Sequence, residues 1–450
     1  MLRIAAARGE LWLDEIWTIQ GVQAAHSPAD IVLSLKHDNN HFLNSFMVYL
    51  IGPDGAAWMN RCPAVIAGSL TVLLAGWIQR RRGSATTLAA LGLCGFSFLL
   101  VNYSSEARGY AYEMFFALAA FGILCQMKEV PSLGWECVFA ATCILGFLAH
   151  PLFLNVYLAA QVWTLFSFHR RLGMDKRARP RLAAILFRTV IPGLFFGWLY
   201  WVNLSQMSIG GGDAQPYFNV IAQTMSLAVG GPFNAPFAYL AAAVMALFTV
   251  AAFWSAFRQS PQRAAFYFCV TLIFPALLLV LAPRKDIYPR YFLISVLFLL
   301  MLWSDYVGDV CRRYARGKLF VTLALATWVL ANGWHIAQLI RLERGHYQAA
   351  IELMRQDTLG SQVAVLMDHP FRQGTILDYY GQRMPAGKPF RAVTAAVDAE
   401  WYLVHDLNVD FVPSNTIVED GITFRLVKHY PFAGLSGWHL CLYQRESAAR

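Results

Sequence analysis

Apolar runs long enough to cross a bilayer recur from about residue 62 to residue 340, and they constrain the fold more than any other feature of the chain. Eighteen or more residues at 1.5 Å each make a helix that matches a hydrocarbon layer about 30 Å thick. Only 14% of the 450 residues are charged and 57% are apolar; soluble domains carry about a quarter charged residues, so a soluble enzyme is excluded. The reading is a polytopic α-helical membrane protein of about ten spans, near 62–79, 85–103, 110–126, 134–149, 152–168, 182–203, 236–256, 264–282, 291–310 and 318–340. The formal charge of +9 sits mostly in short loops between these runs, where orientation in the bilayer accounts for it and no nucleic-acid partner is required. The eight cysteines lie mainly inside apolar runs, among them Cys94, Cys125, Cys143 and Cys269, without paired metal-ligand spacing, and read as small core residues.

Arg and Lys cluster on every second loop: Arg80 to Arg82, Lys128, 170–181, Arg258 with Arg263, and 312–318. The positive-inside rule makes those loops cytoplasmic. By parity residues 1–61, the turn 104–109, the break at 150–151, the loops 204–235 and 283–290, and the C-terminal hundred residues face outward, which predicts a multi-pass protein of the cytoplasmic (inner) membrane with an extracytoplasmic site. Residues 1–61 then form an outward first loop with no apolar leader to carry it across. The expectation is that a first span is missing, with the short run 42–51 lying as an interfacial helix.

Residues 62–343 make the transmembrane catalytic domain in this reading, and 344–450 change to a mixed charged, polar and β-branched pattern. There 362–367, 400–404, 422–427 and 438–444 read as strands and 375–381 as a short helix. A small extracytoplasmic α/β domain fits this order.

Residues of chemical interest gather on the outward side. Asp14 and Glu15 are adjacent acids among Leu11, Trp12, Leu13, Ile16 and Trp17; carboxylates held against apolar surface feel desolvation, which suits acid or base work, and a plain helix cap is the competing reading. Lys36, His37, Asp38, Asn39, Asn40 and His41 form a dense polar knot before an apolar helix, suited to a metal or phosphate, or equally to a solvated cap with Asn40 as its N-cap. Glu106, Tyr110 and Glu113 fall at i, i+4, i+7, one helical face if the helix has begun by Glu106; a Glu106–Arg108 pair is the alternative. His150 before Pro151 reads as a turn residue or a ligand. Arg284, Lys285 and Arg290, with Tyr291, place cations on an outward loop, against the inside bias, where a phosphate or anionic lipid headgroups would meet them. Gly210 to Gly212 lacks the following Lys-Ser or Lys-Thr of a P-loop.

With these residues in order, the chain resembles the C-type (GT-C) glycosyltransferase superfamily, in the branch of protein O-mannosyltransferases and the lipid A aminoarabinose transferase. The matches are Trp12-Leu13-Asp14-Glu15, Asp38 to His41, the Ser-x-Glu106-Ala-Arg108-x-Tyr110 element, His150-Pro151 and Arg290-Tyr291, spread over most of residues 10–310. Gly109 departs from a proline common at that place, and the family's first span is absent. The resemblance implies transfer of a sugar from a polyprenyl-phosphate donor to a glycan, lipid or protein acceptor on the outer membrane face, with inversion at the anomeric carbon. It implies Asp14 as the base with Glu15 beside it, Arg108, Lys285 and Arg290 holding phosphate, and Asp38, His41, Glu106, Tyr110, His150 and Tyr291 lining the substrate site. No cofactor is fixed; a divalent cation could be held by the early carboxylates and histidines, though no spacing assigns it. The rival class is a non-catalytic flippase or carrier for lipid-linked sugars, or a polysaccharide polymerase. A transporter would carry its charges near the midplane, whereas here they crowd one edge.

Overall fold

The computed structural model describes residues 1–174, 185–210, 215–281, 287–314 and 316–446. Nine of the ten apolar runs are each helical through their middle over the described residues, the tenth is interrupted at Ser97, and the chain is a multi-pass α-helical membrane protein. Six helical stretches among the described residues are long and apolar enough to span: Ala57–Arg82, Tyr110–Glu129, Phe237–Gln259, Pro261–Leu281, Pro289–Arg313 and one that begins at Gly317. Ser84–Phe96, Leu133–Ala149 and Pro151–Ser167 are shorter apolar helices, and Phe42–Ile51 is the ten-residue helix expected after the polar knot. Burial ranks them: Pro289–Arg313 and Tyr110–Glu129 are mostly buried and form the centre, whereas Phe237–Gln259 is mostly not and turns Leu240, Leu247 and Val250 outward.

The expected continuous span 85–103 is instead two helices, Ser84–Phe96 and Phe98–Tyr103. Ser97 leaves the helix in an extended conformation, its hydroxyl accepts from the Leu100 amide at 3.5 Å, and the Phe98 amide donates to Asn332 Oδ1 at 2.9 Å. A polar residue from a distant helix thus takes over a freed backbone donor, which lets a helix break inside apolar surroundings.

The residues sort into two compact bodies, Met1–Ala7 with Gly21–Ile336, and Arg8–Gln20 with Ala337–Arg450. The second contains one six-stranded sheet in the order β2-β1-β3-β6-β5-β4, built from β1 (Val363–Met367), β2 (Phe390–Val393), β3 (Trp401–Asp406), β4 (Thr416–Glu419), β5 (Ile422–Tyr430) and β6 (His439–Arg445). The β1 pairings to β2 and β3 are parallel and the rest antiparallel. The helix Pro370–Arg383 supplies the crossover that parallel strands need. One face packs Leu366, Phe424, Cys441 and Tyr443 into a core.

The segment Arg8–Gln20 belongs to this sheet body. Glu10 accepts from the Tyr347 and Gln348 amides, capping the helix Tyr347–Asp357 from across the chain. Tyr380 donates to Leu11 O at 2.8 Å, and the Trp17 and Phe371 rings meet at 5.2 Å.

Candidate active site

The polar knot at 36–41 is fixed by backbone. Asp38 N donates to Ser208 O at 3.0 Å and Ser208 N to Lys36 O at 2.9 Å. Asn40 is not the N-cap of Phe42–Ile51; that position is His41. The Asn40 amide instead donates to Ile31 O and Leu35 O, and its oxygen accepts from Ser45. Asp38 stays in the loop beside His37, with Nδ1 3.1 Å from Oδ1. Burial would raise its carboxyl, but hydrogen bonds from His37 and the Gly210 backbone, with Arg108 in electrostatic range, hold it below the usual range.

The Glu-Ala-Arg element is a turn rather than the start of a helix. The helix begins at Tyr110, so Glu106, Tyr110 and Glu113 do not share one helical face. Instead Glu106 Oε1 accepts from Asn102 Nδ2 at 3.1 Å, while Glu113 lies one turn inside the helix with Oε1 3.4 Å from His150 Nδ1. The turn forms because Arg108 N bonds back to Glu106 O at 2.8 Å and Gly109 admits close packing: a Cβ there would stand 2.2 Å from Ala149 O and 2.8 Å from His41 Cβ. The φ of −69° at Gly109 suits proline, yet a proline would bring the same Cβ into the same carbonyl. That contact explains the departure noted in the sequence.

The turn sends Arg108 into the knot. Its Nη2 donates to Asn39 Oδ1 at 2.7 Å and meets His41 Nε2 at 3.2 Å. A guanidinium only donates, so His41 Nε2 accepts and its proton sits on Nδ1. Burial first, then Arg108, His150 and Arg290, push the His41 imidazole well below its ordinary pKa, keeping it neutral. The His41 and His150 rings stack at 4.9 Å, and Tyr110 packs on both at 5.1 and 5.2 Å under the Arg108 guanidinium. His150 Nδ1 accepts from the Leu152 amide at 3.1 Å, so it is a turn residue and a site residue at once.

Arg290 enters from the short turn Pro289–Phe292, its guanidinium over the Tyr288 ring at 4.5 Å and the Tyr291 ring at 5.7 Å. It is close enough to influence both His41 and Tyr103. Two residues on, Phe292 lines an apolar cavity of about 220 Å³ with Met225, Leu272, Leu279 and Leu299. Lys285 lies outside the described residues. Asn44 was not singled out from the sequence: it is fully buried and its amide donates to Ala107 O at 2.7 Å, holding the turn. An asparagine inside the apolar helix Phe42–Ile51 was the available signal.

Asp14 and Glu15 sit in the sheet body, both buried, in the first turn of the helix Leu13–Gln23. Glu15 is the capping residue: its carboxylate accepts from the Trp12 amide at 3.2 Å, three residues back. Asp14, Glu15 and Glu10 all lie within electrostatic range of the Tyr347 phenol, whose pKa rises, chiefly through burial. Among the described residues no three His, Cys, Asp or Glu side chains converge closely enough to hold a metal ion.

No family model matches the sequence, and no curated protein matches it. Solved structures do. The crystal structure of ArnT from Cupriavidus metallidurans in the apo state aligns with TM-score 0.50 and 12% identity over 89% of this chain and 90% of that one. The same protein bound to undecaprenyl phosphate aligns with TM-score 0.51 and 12% identity over 100% and 96%. At that identity the likeness is one of fold: over nearly its whole length the chain shares the fold of these ArnT structures.

Proposed function

We propose that the chain is a membrane glycosyltransferase that moves a sugar from a polyprenyl-phosphate donor to an acceptor at the extracytoplasmic face of the inner membrane. The observation that carries this reading is Arg290, in electrostatic range of His41 in the buried Arg108–His41–His150 cluster and two residues from an apolar cavity at Phe292. Cation next to apolar groove is the chemistry of a phosphate with a hydrocarbon tail. The GT-C fold, and an ArnT structure bound to undecaprenyl phosphate, support the same donor class.

In the proposed step the acceptor hydroxyl gives its proton to the Asp14 carboxylate as its oxygen bonds to the anomeric carbon. The anomeric carbon–oxygen bond breaks, its electron pair stays on the departing phosphate, and Arg108 and Arg290 meet the growing negative charge. Lys285 is proposed as a third phosphate holder. Neutral His41, with a proton on Nδ1, offers a donor to a sugar or phosphate oxygen, while Asp38, Glu106, Tyr110, His150 and Tyr291 shape the site. Single displacement inverts the anomeric centre. Glu15, already committed to the Trp12 amide, holds the start of the helix that carries Asp14.

Incubating the purified chain with defined polyprenyl-phosphate sugars tests this: released polyprenyl phosphate, with the sugar on an acceptor, is expected. Movement of intact donor between leaflets without cleavage would replace the enzyme with a carrier.

A further inference from the structure

At the other end of the membrane body lies a cavity that the proposed reaction does not use. It holds about 270 Å³ and is lined by Arg80, Arg81, Arg82, Lys128 and Arg263, with Glu129 the acid on its wall. The helix Tyr110–Glu129 joins the two places, Tyr110 in the candidate active site and Lys128 and Glu129 at this cavity. Twenty residues at 1.5 Å set them about 30 Å apart along the helix.

Part of this charge is neutralised within the wall. Arg81 pairs with Glu129, and Arg82 and Arg263 share Asp305 at 2.7 and 3.0 Å. Five cations therefore face two carboxylates, an imbalance that calls for an anion. The positive-inside rule accounts for cations in loops, but Arg263 lies in the first turn of the helix Pro261–Phe268, nine-tenths buried. Its Nε donates to Asp305 and Tyr267, and its Nη2 to Gln79 at 2.8 Å. For Nη1 the acceptor among the described residues is the sulfur of Cys125, which also lines the cavity, at 3.9 Å, a weak one. A buried guanidinium with a donor so poorly matched needs a better acceptor. Ser260, at the N-terminus of the same helix, also lines the cavity, so the positive end of the helix adds to the field. Trp77 and Trp163 supply apolar wall.

We propose that this cavity binds a phosphate anion, recognised by Arg263 Nη1, Arg80 and Lys128, on the membrane face opposite the candidate active site. The volume lies just below the ~300 Å³ at which ordinary small-molecule sites begin, which suits one headgroup-sized ligand. Tryptophans and cations at a membrane boundary fit a phospholipid headgroup, and the same contacts would take inorganic phosphate from solution.

The test uses the full chain purified in detergent. Binding of phosphatidylglycerol and of phosphatidylcholine is read by native mass spectrometry, and binding of inorganic phosphate by thermal shift against chloride at matched ionic strength. Arg80→Gln with Lys128→Gln removes two exposed cations. Arg316→Gln with Lys318→Gln removes the same charge from the loop that Arg312 ties to Arg82 O, and is the control. One saturable phosphatidylglycerol, weakened about tenfold or more by the first pair and unchanged by the control, supports the site with a lipid ligand. A phosphate-specific thermal shift with the same variant pattern supports it with a soluble ligand. In either case the ligand protects Cys125, on the cavity wall, from thiol alkylation. Equal losses in both variant pairs, or no saturable binding of either probe, would overturn the proposal and leave the cations to membrane orientation alone.

Discussion

Replacing Gly109 with alanine puts the architecture of the candidate site to a direct test. The added Cβ would stand 2.2 Å from Ala149 O and 2.8 Å from His41 Cβ, where ordinary contact begins at 3.4 Å. Both obstacles belong to backbone or to the root of a side chain, so neither can swing away. The turn and the end of the helix Leu133–Ala149 must separate by about 1 Å to reach normal contact. Ala149 immediately precedes His150 and Gly109 immediately follows Arg108, so that movement opens the stack in which His41 and His150 lie 4.9 Å apart. Overpacking of this kind costs about 1–3 kcal/mol of stability, and a 1 Å misplacement of positioning groups costs about 10²-fold in rate. Turnover of a polyprenyl-phosphate sugar should therefore fall about a hundredfold with a lower melting temperature. Gly92→Ala is the control: a Cβ there meets nothing within 4 Å, and alanine in a helix is favoured by about 0.5–1 kcal/mol over glycine. A Gly109→Ala protein with wild-type turnover and melting would refute the reasoning.

Asp14→Asn should leave the protein expressed and folded but abolish sugar transfer; normal release of polyprenyl phosphate would remove Asp14 from the base role. Glu15→Gln should retain the cap, since glutamine accepts from the Trp12 amide as glutamate does, whereas Glu15→Ala should lose about 1 kcal/mol; equal melting of the two would deny the cap. Arg290→Ala should raise the donor KM far more than the exposed Arg425→Ala, and matching KM values would count against phosphate capture. Burial, opposed by the Tyr347 and Gln348 amides and reinforced by Glu343 and Glu352, pushes the Glu10 carboxyl up to about 7. Between about pH 4.5, where it titrates unfolded, and pH 7 the folded state holds the extra proton. The sheet body should then lose stability as pH rises through that window, by on the order of 3 kcal/mol at most, and Glu10→Gln should flatten the slope; an unchanged slope in thermal melts would exclude Glu10 as its source.

The helices were legible because an apolar run of membrane length has few alternatives to a helix, and the strands β1, β3, β5 and β6 because their burial follows their residue pattern. The edge strands β2 and β4 were not: each has four residues and owes its conformation to a neighbour. The break at Ser97 depends on Asn332, 234 positions from the Phe98 amide that it accepts from. Periodicity carried Glu106 onto a helix that starts four residues later, because nothing local reveals the packing of Gly109 on Ala149. Arg372 is buried with Nη1 2.9 Å from His405 Nε2, a contact that no local pattern announces. His41, Arg108 and His150 were legible as residues; their mutual contacts were not, since a ring stack between two loops leaves no trace in spacing.

The sheet body is also assembled from two stretches made at very different times. Glu10 meets the Tyr347 amide across 337 positions, so residues 8–20 emerge from the ribosome long before the helix they cap. Closing so long a loop adds little equilibrium cost, because loop entropy grows only with the logarithm of length. The cost is in timing: this acidic, tryptophan-bearing stretch must wait through synthesis of the whole helical bundle before its partners exist. A fragment beginning at residue 337 would start that body without its early-made piece, and should recover order when a peptide covering residues 8–20 is added back.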